Sequence, residues 1–255
     1  MGGAIAIVLA VVVVSTLLAE GLLVLVRRRV PVGVLAESND AVGITFATLG
    51  VLYAVMLAFG LIATWEKFEV SQELVLAETA ALDDLQELSE AFPTAIRAEV
   101  RTALGSYVDA VRNEEWPSMA DGDGAAPEAE EALDALWAVY LRADPADFGN
   151  EVAYDYSVDS LVRADDARQD RLSDADARMS NFMLFVIIAG AVPSALFPLA
   201  LGISNARLHA VALGALVAAT ALLVTATYLM SNPFTGPLGV PVSPFTEIAE
   251  ILDAG

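Results

Sequence analysis

The chain has no cysteine and a single histidine, His209. These scarcities exclude disulfides, thiolate nucleophiles and cysteine-ligated metals, and one imidazole cannot build a histidine cluster. Lysine is nearly as rare, one residue against 12 arginines. No stretch alternates apolar and polar residues long enough to predict a sheet. There is also no Walker loop, no GxGxxG ahead of a helix, no GxSxG and no HExxH. Nothing has the shape of an active site, so an enzyme is not expected and no cofactor or metal is called for. The net charge of −21 repels nucleic acid, which leaves a polyanion partner out of the reading.

Long apolar runs are what the chain does have. Residues 3–26, 41–64, 182–203 and 208–230 are each close to the roughly 20 residues that cross a hydrocarbon core of about 30 Å. The first run lacks a basic segment before it, and Arg27-Arg28-Arg29 follow it, so it reads as a retained span rather than a cleaved leader. Between the second and third runs, residues 65–178 hold 28 of the 34 acids and 9 of the 13 basic residues, a net of −19. The fold class is therefore an all-α integral membrane protein: four transmembrane helices, with a helical soluble domain inserted between spans two and three. We place spans one and two at 1–64, the acidic helical domain at 65–180, spans three and four at 181–230, and a proline-rich tail with a short amphipathic helix at 231–255.

No breaker follows Thr64, and Val70, Leu74, Ala77, Ala81, Leu85 and Leu88 step by threes and fours. Span two is expected to extend out of the membrane as one long helix to about Glu90, with Ser38, Asn39 and Asp40 offering cap oxygens at its start. Trp65 and Phe68 sit where an aromatic interfacial belt belongs. Pro93 opens a helix over 94–113, which Glu114-Glu115-Trp116-Pro117 is expected to break. Residues 118–127 read as a polar, mobile loop; helices are predicted over 128–142 and 156–180, the last running into span three. Pro193 and Pro198 should kink or break span three. Gly50, Ala54 and Ala58 in span two, and Ala210, Gly214 and Ala218 in span four, form small-residue ridges that let a neighbouring helix approach closely. The tail, with Pro233, Pro237, Pro241 and Pro244, is predicted to end in a helix from Thr246. Positive charge does not choose a side: Arg27–Arg29 and Arg207 flank the short connections, while Lys67, Arg163, Arg168, Arg171 and Arg178 flank the membrane on the other side.

Glu20 is the one acid inside a span core. It lies about two turns from the arginine triplet and either snorkels or pairs near the interface or faces a pore or bundle interior, and its position near the end of the span favours the first. Asp121-Gly122-Asp123-Gly124 resembles a calcium loop in part, but alanines stand at loop positions five and twelve. Asp165, Asp166, Asp170, Asp174 and Asp176 interleave with Arg163, Arg168, Arg171 and Arg178, which predicts a solvated, ion-paired helix face rather than a cation site. His209 reads as an interfacial structural residue.

Several segments together resemble a known family: Val42-Gly43-Ile44-Thr45-Phe46, Leu49-Gly50-Val51-Leu52-Tyr53-Ala54-Val55, Leu57-Ala58-Phe59, Trp65-Glu66, Glu115-Trp116-Pro117, Asn232-Pro233-Phe234-Thr235-Gly236 and Pro244-Phe245. From about residue 38 to 250 the chain is similar to the bestrophin-like domain family of prokaryotic and plant membrane proteins. That resemblance implies kinship with bestrophins, anion channels that are pentamers of four-span subunits with a helical domain between spans two and three and a hydrophobic neck lined by the second helix. It implies a homo-oligomer, a pentamer by analogy, in the plasma membrane of a prokaryote, with the lipid bilayer, inorganic ions and its own copies as partners. Phe46 to Leu49 and Gly50 to Tyr53 are each one residue longer than in the bestrophin neck helix, and no Ile-Pro start or acidic calcium clasp is present. No neck or calcium residue therefore carries over by position.

From the residues themselves, span two offers a candidate pore-lining stripe: Thr45, Thr48, Leu52, Met56 and Phe59, hydroxyls followed by bulky groups that could gate by dewetting. The alternative is a membrane-anchored sensor or interaction module without a pore. It is favoured by the lack of intramembrane charge beyond Glu20.

Overall fold

The computed structural model describes residues 2–142, 144–176, 181–236 and 238–254, and these contain helices and no strand. Four helices are long and apolar enough to cross a membrane, and the protein is an all-α, four-span membrane protein. The chain divides into two compact units, one of residues 1–66 and 179–231, the other of 67–178 and 232–255.

The membrane unit contains α1 (Gly2–Arg29), the short α2 (Val32–Ala36), the first half of α3 (Asn39–Ser89), α8 (Asn181–Leu196) and α9 (Ala206–Met230). Between α8 and α9 the backbone tightens into a 3-10 turn, Phe197–Ala200. Pro193 lies inside α8 and Pro198 inside that turn, so the third span is interrupted where the prolines predict it. The unit's core is small: Leu23 of α1, Leu199, and Leu213 and Val217 of α9. Asn39 does not cap α3. Its side chain turns across the unit, where its Oδ1 accepts from the Gly202 N–H at 2.7 Å.

The soluble unit contains the rest of α3, α4 (Thr94–Ala110), α5 (Trp116–Asp121), α6 (Pro127–Arg142), α7 (Glu151–Asp176) and α10 (Ser243–Ala254). Helix α3 is unbroken over 51 residues, as the missing breaker after Thr64 predicts. The expected break at Glu114–Pro117 does not occur. Val111–Glu115 form a π-helical segment that passes directly into α5. A π turn shifts the hydrogen-bond register by one residue, which lets Pro117, lacking an N–H, follow without ending the helix. The predicted loop therefore shrinks to the stretch after Asp121, where Gly122 takes a φ of 92° and closes α5 in the left-handed conformation. Helix α7 starts at Glu151, earlier than the expected 156, and its passage into α8, with Arg178, lies outside the described residues, as does Pro237.

Val75, Leu82 and Leu85 of α3, Val100, Leu104 and Val108 of α4, and Leu136 of α6 fill the soluble unit's core, joined by Leu161 of α7. At one end Phe92, Tyr140, Phe148 and Tyr154 pack ring against ring, with Phe92 and Phe148 edge-to-face at 5.0 Å. The tail is part of this unit. Phe234 and Phe245 meet the Trp116 ring edge-on at 5.5 and 5.9 Å, and Ile248 and Leu252 of α10 are buried.

Candidate functional site

Spacings of 3, 4, 4 and 3 along α3 put Thr45, Thr48, Leu52, Met56 and Phe59 on one face, within about 80° of arc at 3.6 residues per turn. All five are exposed in the single chain, Leu52 at 59% and Phe59 at 66%. Thr48 donates its hydroxyl hydrogen back to the Ile44 carbonyl at 3.0 Å, the usual way a helix satisfies a threonine in an apolar setting.

A different face of α3 does the packing inside the unit. Tyr53, Leu57, Gly60 and Thr64 follow one another at helical spacing, and Leu57, Gly60 and Thr64 are buried. The Tyr53 ring lies on Gly190 of α8, where an added Cβ would stand 2.5 Å from the ring, and its hydroxyl donates to the Ile187 carbonyl at 3.1 Å. Gly60 reciprocates: an added Cβ there would meet Ile187 Cδ1 at 2.6 Å. Close approach of α3 thus rests on Gly60 and Gly190. The ridge predicted to provide it does not: a Cβ on Gly50 would meet nothing within 4 Å. Gly50, Ala54 and Ala58 instead line an apolar cavity of about 270 Å³ shared with Leu216, Ala219 and Leu223 of α9.

Glu20 faces the seam between α1 and α9. Its Oε1 is 3.1 Å from where a Cβ on Gly214 would sit, and the Thr16 methyl is 3.5 Å from the same point. Among the described residues no ion pair joins Glu20 to the arginine triplet. Arg27 instead donates to the Ile203 and Ser204 carbonyls and lies 3.3 Å from His209 Nδ1. His209 is buried, and its Nε2 reaches the Pro198 carbonyl at 2.9 Å. One proton on Nε2 and a free lone pair on Nδ1 satisfy both contacts, so the ring ties α1, α9 and the turn between the last two spans together.

The soluble unit holds an arrangement that the sequence reading missed. Arg168 and Arg171, expected on a solvated face, are buried at 2% and 0% exposure with Glu78 and Glu115. Arg171 donates to Glu78 through Nε at 2.7 Å and to Glu115 through Nη2 at 2.8 Å. Arg168 donates to Glu115 at 2.6 Å and to the exposed Glu130, and Tyr107 donates its hydroxyl to Glu78 at 2.6 Å. The Arg171 guanidinium also lies 5.8 Å from the Trp116 ring centre and 5.6 Å from that of Phe245. Two acids and two arginines cancel, which is how four charges tolerate a dry interior. Burial disfavours both charged guanidiniums, but the hydrogen bonds that Arg168 donates to Glu115 and Glu130, and the charge of Glu78 beside Arg171, outweigh it and hold the arginines firmly protonated. Burial likewise pushes the Glu115 carboxyl up, yet the bonds and charges of Arg168 and Arg171 bring it below the usual range. The Tyr107 phenol is raised by burial and by the charge of Glu78.

A signal for this burial was present. Ser157, Ser160, Leu161, Ala164, Ala167, Arg168 and Arg171 form one continuous buried stripe of mostly small residues along α7. Arg163, off that stripe, is half exposed and pairs with Asp84 and Asp159, as the ion-paired reading predicts. Of the acidic run, Asp165 accepts from the Trp137 indole at 3.2 Å and Asp174 from the Ser71 hydroxyl. No cluster of three or more metal-binding side chains occurs among the described residues.

Comparison with known proteins gives a consistent picture. Three crystal structures of a bacterial bestrophin homologue from Klebsiella pneumoniae share the fold. A form phased on zinc superposes with a TM-score of 0.76 at 13% identity, over 94% of this chain and 96% of that one. A form carrying a leucine-to-threonine substitution gives 0.75 at 13% identity over 94% and 97%. Another, carrying an aspartate-to-alanine substitution, gives 0.77 at 11% over 95% and 97%. A comparison with curated proteins finds no match. A family profile described as the Bestrophin-like domain matches residues 13–245, nearly the whole length. The chain belongs to the Bestrophin-like domain family.

Proposed function

We propose that this protein is the subunit of a homo-oligomeric ion channel in the plasma membrane of a prokaryote, with α3 lining the pore. The observation that carries the reading is the division of α3 into two faces. Tyr53, Leu57 and Gly60 serve packing within the subunit, while Thr45, Thr48, Leu52, Met56 and Phe59 are left uncovered. Membership in a family related to channels supports an assembly in which copies of this uncovered face meet around an axis. In such a pore Thr45 and Thr48 supply hydroxyls to a passing ion. Leu52, Met56 and Phe59 form an apolar constriction that closes by losing its water rather than by a plug. From Thr45 to Phe59 the stripe rises 14 residue steps, about 21 Å of pore at 1.5 Å per step.

The acidic segment bears on selectivity. A net of −19 over residues 65–178 concentrates cations nearby, so an ion path bordering this segment favours cations over anions.

Purified protein in planar bilayers should give unitary currents. Phe59→Ala should widen the constriction and raise the conductance severalfold, and Thr48→Ala should change the reversal potential under a salt gradient. Silent bilayers from a well-folded oligomer would sink the channel reading. A monomer or dimer with no central pore in a low-resolution map would favour the membrane-anchored interaction module instead.

A further inference from the structure

The uncovered part of α3 is wider than the candidate stripe. Ile44, Val51, Val55 and Ile62 follow one another at spacings of 7, 4 and 7. That spacing holds them within about 40° of arc, centred about 80° to one side of the stripe. They form an apolar, β-branched ridge, each residue 50–70% exposed. The ridge lies about half a turn from Tyr53 and Gly60, the positions that meet α8. On the stripe's other side is a groove of about 440 Å³ between α3 and α8. Leu49, Leu52 and Met56 line it from α3, and Phe185, Ala189 and Pro193 from α8. Two hydroxyls also reach it, and both are already engaged: Tyr53 donates to the Ile187 carbonyl at 3.1 Å and Ser194 to the Gly190 carbonyl at 2.9 Å. The side chains of the groove therefore call for an apolar occupant.

A ring of α3 helices around a lumen needs two lateral contacts per helix, one on each side of the stripe. Without them lipid enters the lumen between neighbours. The ridge and the groove stand on those two sides. We propose that the ridge of Ile44, Val51, Val55 and Ile62 in one copy seats in the α3–α8 groove of the next. The inference rests on the channel reading for its axis, and it adds the surface by which the copies meet. Because the two surfaces differ, the contact is head-to-tail, the kind that repeats around an axis and closes a ring. Ala189 and Gly190 beside the groove let the neighbour's helix approach closely. Rotation about an axis along the membrane normal leaves depth unchanged. Within a chain Tyr53 lies against Gly190 and Gly60 against Ile187. Val55 of one copy therefore comes level with Ala189 of the next, and Ile62 with Phe185.

The absence of native cysteine makes the test direct, since only engineered thiols can cross-link. Two double variants, Val55→Cys with Ala189→Cys and Ile62→Cys with Phe185→Cys, are oxidised in membranes with copper phenanthroline. A disulfide within one chain is barred, because the ridge and α8 lie on opposite sides of α3. Non-reducing gels should show a ladder of covalent oligomers ending at the ring number, formed about tenfold faster than any product of the four single variants. Ile44→Cys with Phe185→Cys, which moves the first thiol about 27 Å from the level of Ile62, should stay monomeric. No ladder from either matched pair overturns the docking and leaves the groove to lipid. Dimers from Val55→Cys or Ile62→Cys alone, formed as fast as the ladder, also overturn it, because the ridge then meets its own copy. Unitary currents without a ladder sink this contact and spare the pore. A ladder from protein that is silent in bilayers keeps the contact and sinks the pore.

Discussion

Arg171→Met is expected to destabilise the soluble unit by about 3–5 kcal/mol, the cost of removing one partner from a buried charge network. Arg171 is fully buried and holds Glu78 and Glu115 together, so its loss leaves Glu78 dry with no counter-charge and Glu115 with Arg168 alone. Methionine roughly fills the volume, which keeps cavity effects small beside the charge effect. The thermal midpoint followed by tryptophan fluorescence should fall by on the order of 10 °C or more. Adding Glu78→Gln should recover part of the loss, because the amide oxygen can still accept from Tyr107 while carrying no charge. A single-variant loss below about 1 kcal/mol would mean that water reaches the network.

The same network predicts how the unit responds to acid. Glu115 titrates lower when folded than when unfolded, so it contributes stability above its unfolded value of about 4.3. That contribution disappears as pH falls through the lower, folded value. Glu115→Gln should therefore be less stable than the parent at neutral pH and should converge with it in acid. A constant gap between the two from pH 7 to pH 3 would contradict this assignment.

The second large effect is expected from Gly202→Ala. A Cβ on Gly202 would overlap the Ala36 nitrogen and lie 2.7 Å from the Leu35 carbonyl carbon, main-chain atoms of α2 that cannot rotate away. The Asn39 side chain holds Gly202 from the other side through its N–H. Either α2 or the turn before α9 must shift by about an ångström or more. We expect a cost of about 3 kcal/mol or above, the upper end for overpacking. Heating in detergent followed by size-exclusion chromatography should show early loss of the monodisperse peak. Gly21→Ala in α1, where an added Cβ meets nothing within 4 Å, is the matched control and should be neutral or slightly stabilising. Equal behaviour of the two variants would mean the contact at Ala36 is looser than drawn.

The four spans, the unbroken α3 and the interruption of span three follow from composition and local rules, because bilayer thickness and proline chemistry act on short stretches. The candidate stripe was legible for the same reason: helical spacing fixes which side chains share a face. The partners of each face were not legible. Gly50 and Gly60 look alike in sequence, yet only Gly60 receives a neighbour, since that depends on where Ile187 lies along α8. Arg168 and Arg171 were misplaced because aspartates beside arginines suggest local pairing, whereas their partners, Glu78 and Glu115, are 93 and 53 residues away. Glu115 reached them through the π segment, a one-residue change of register with no strong local signature.

The thin internal packing of the spans has a consequence of its own. In the most apolar window of each span, only 6% of the α1 residues and at most 22% of any other span's are buried by the chain itself. Most of the dispersion contact these helices can make is therefore left for molecules outside the chain, lipid or further copies. A membrane unit built this way has no fixed stability of its own. Its folding free energy moves with the surrounding composition, tightening as copies crowd in the bilayer and loosening as detergent dilutes them, by the same mass action that governs any bound ligand.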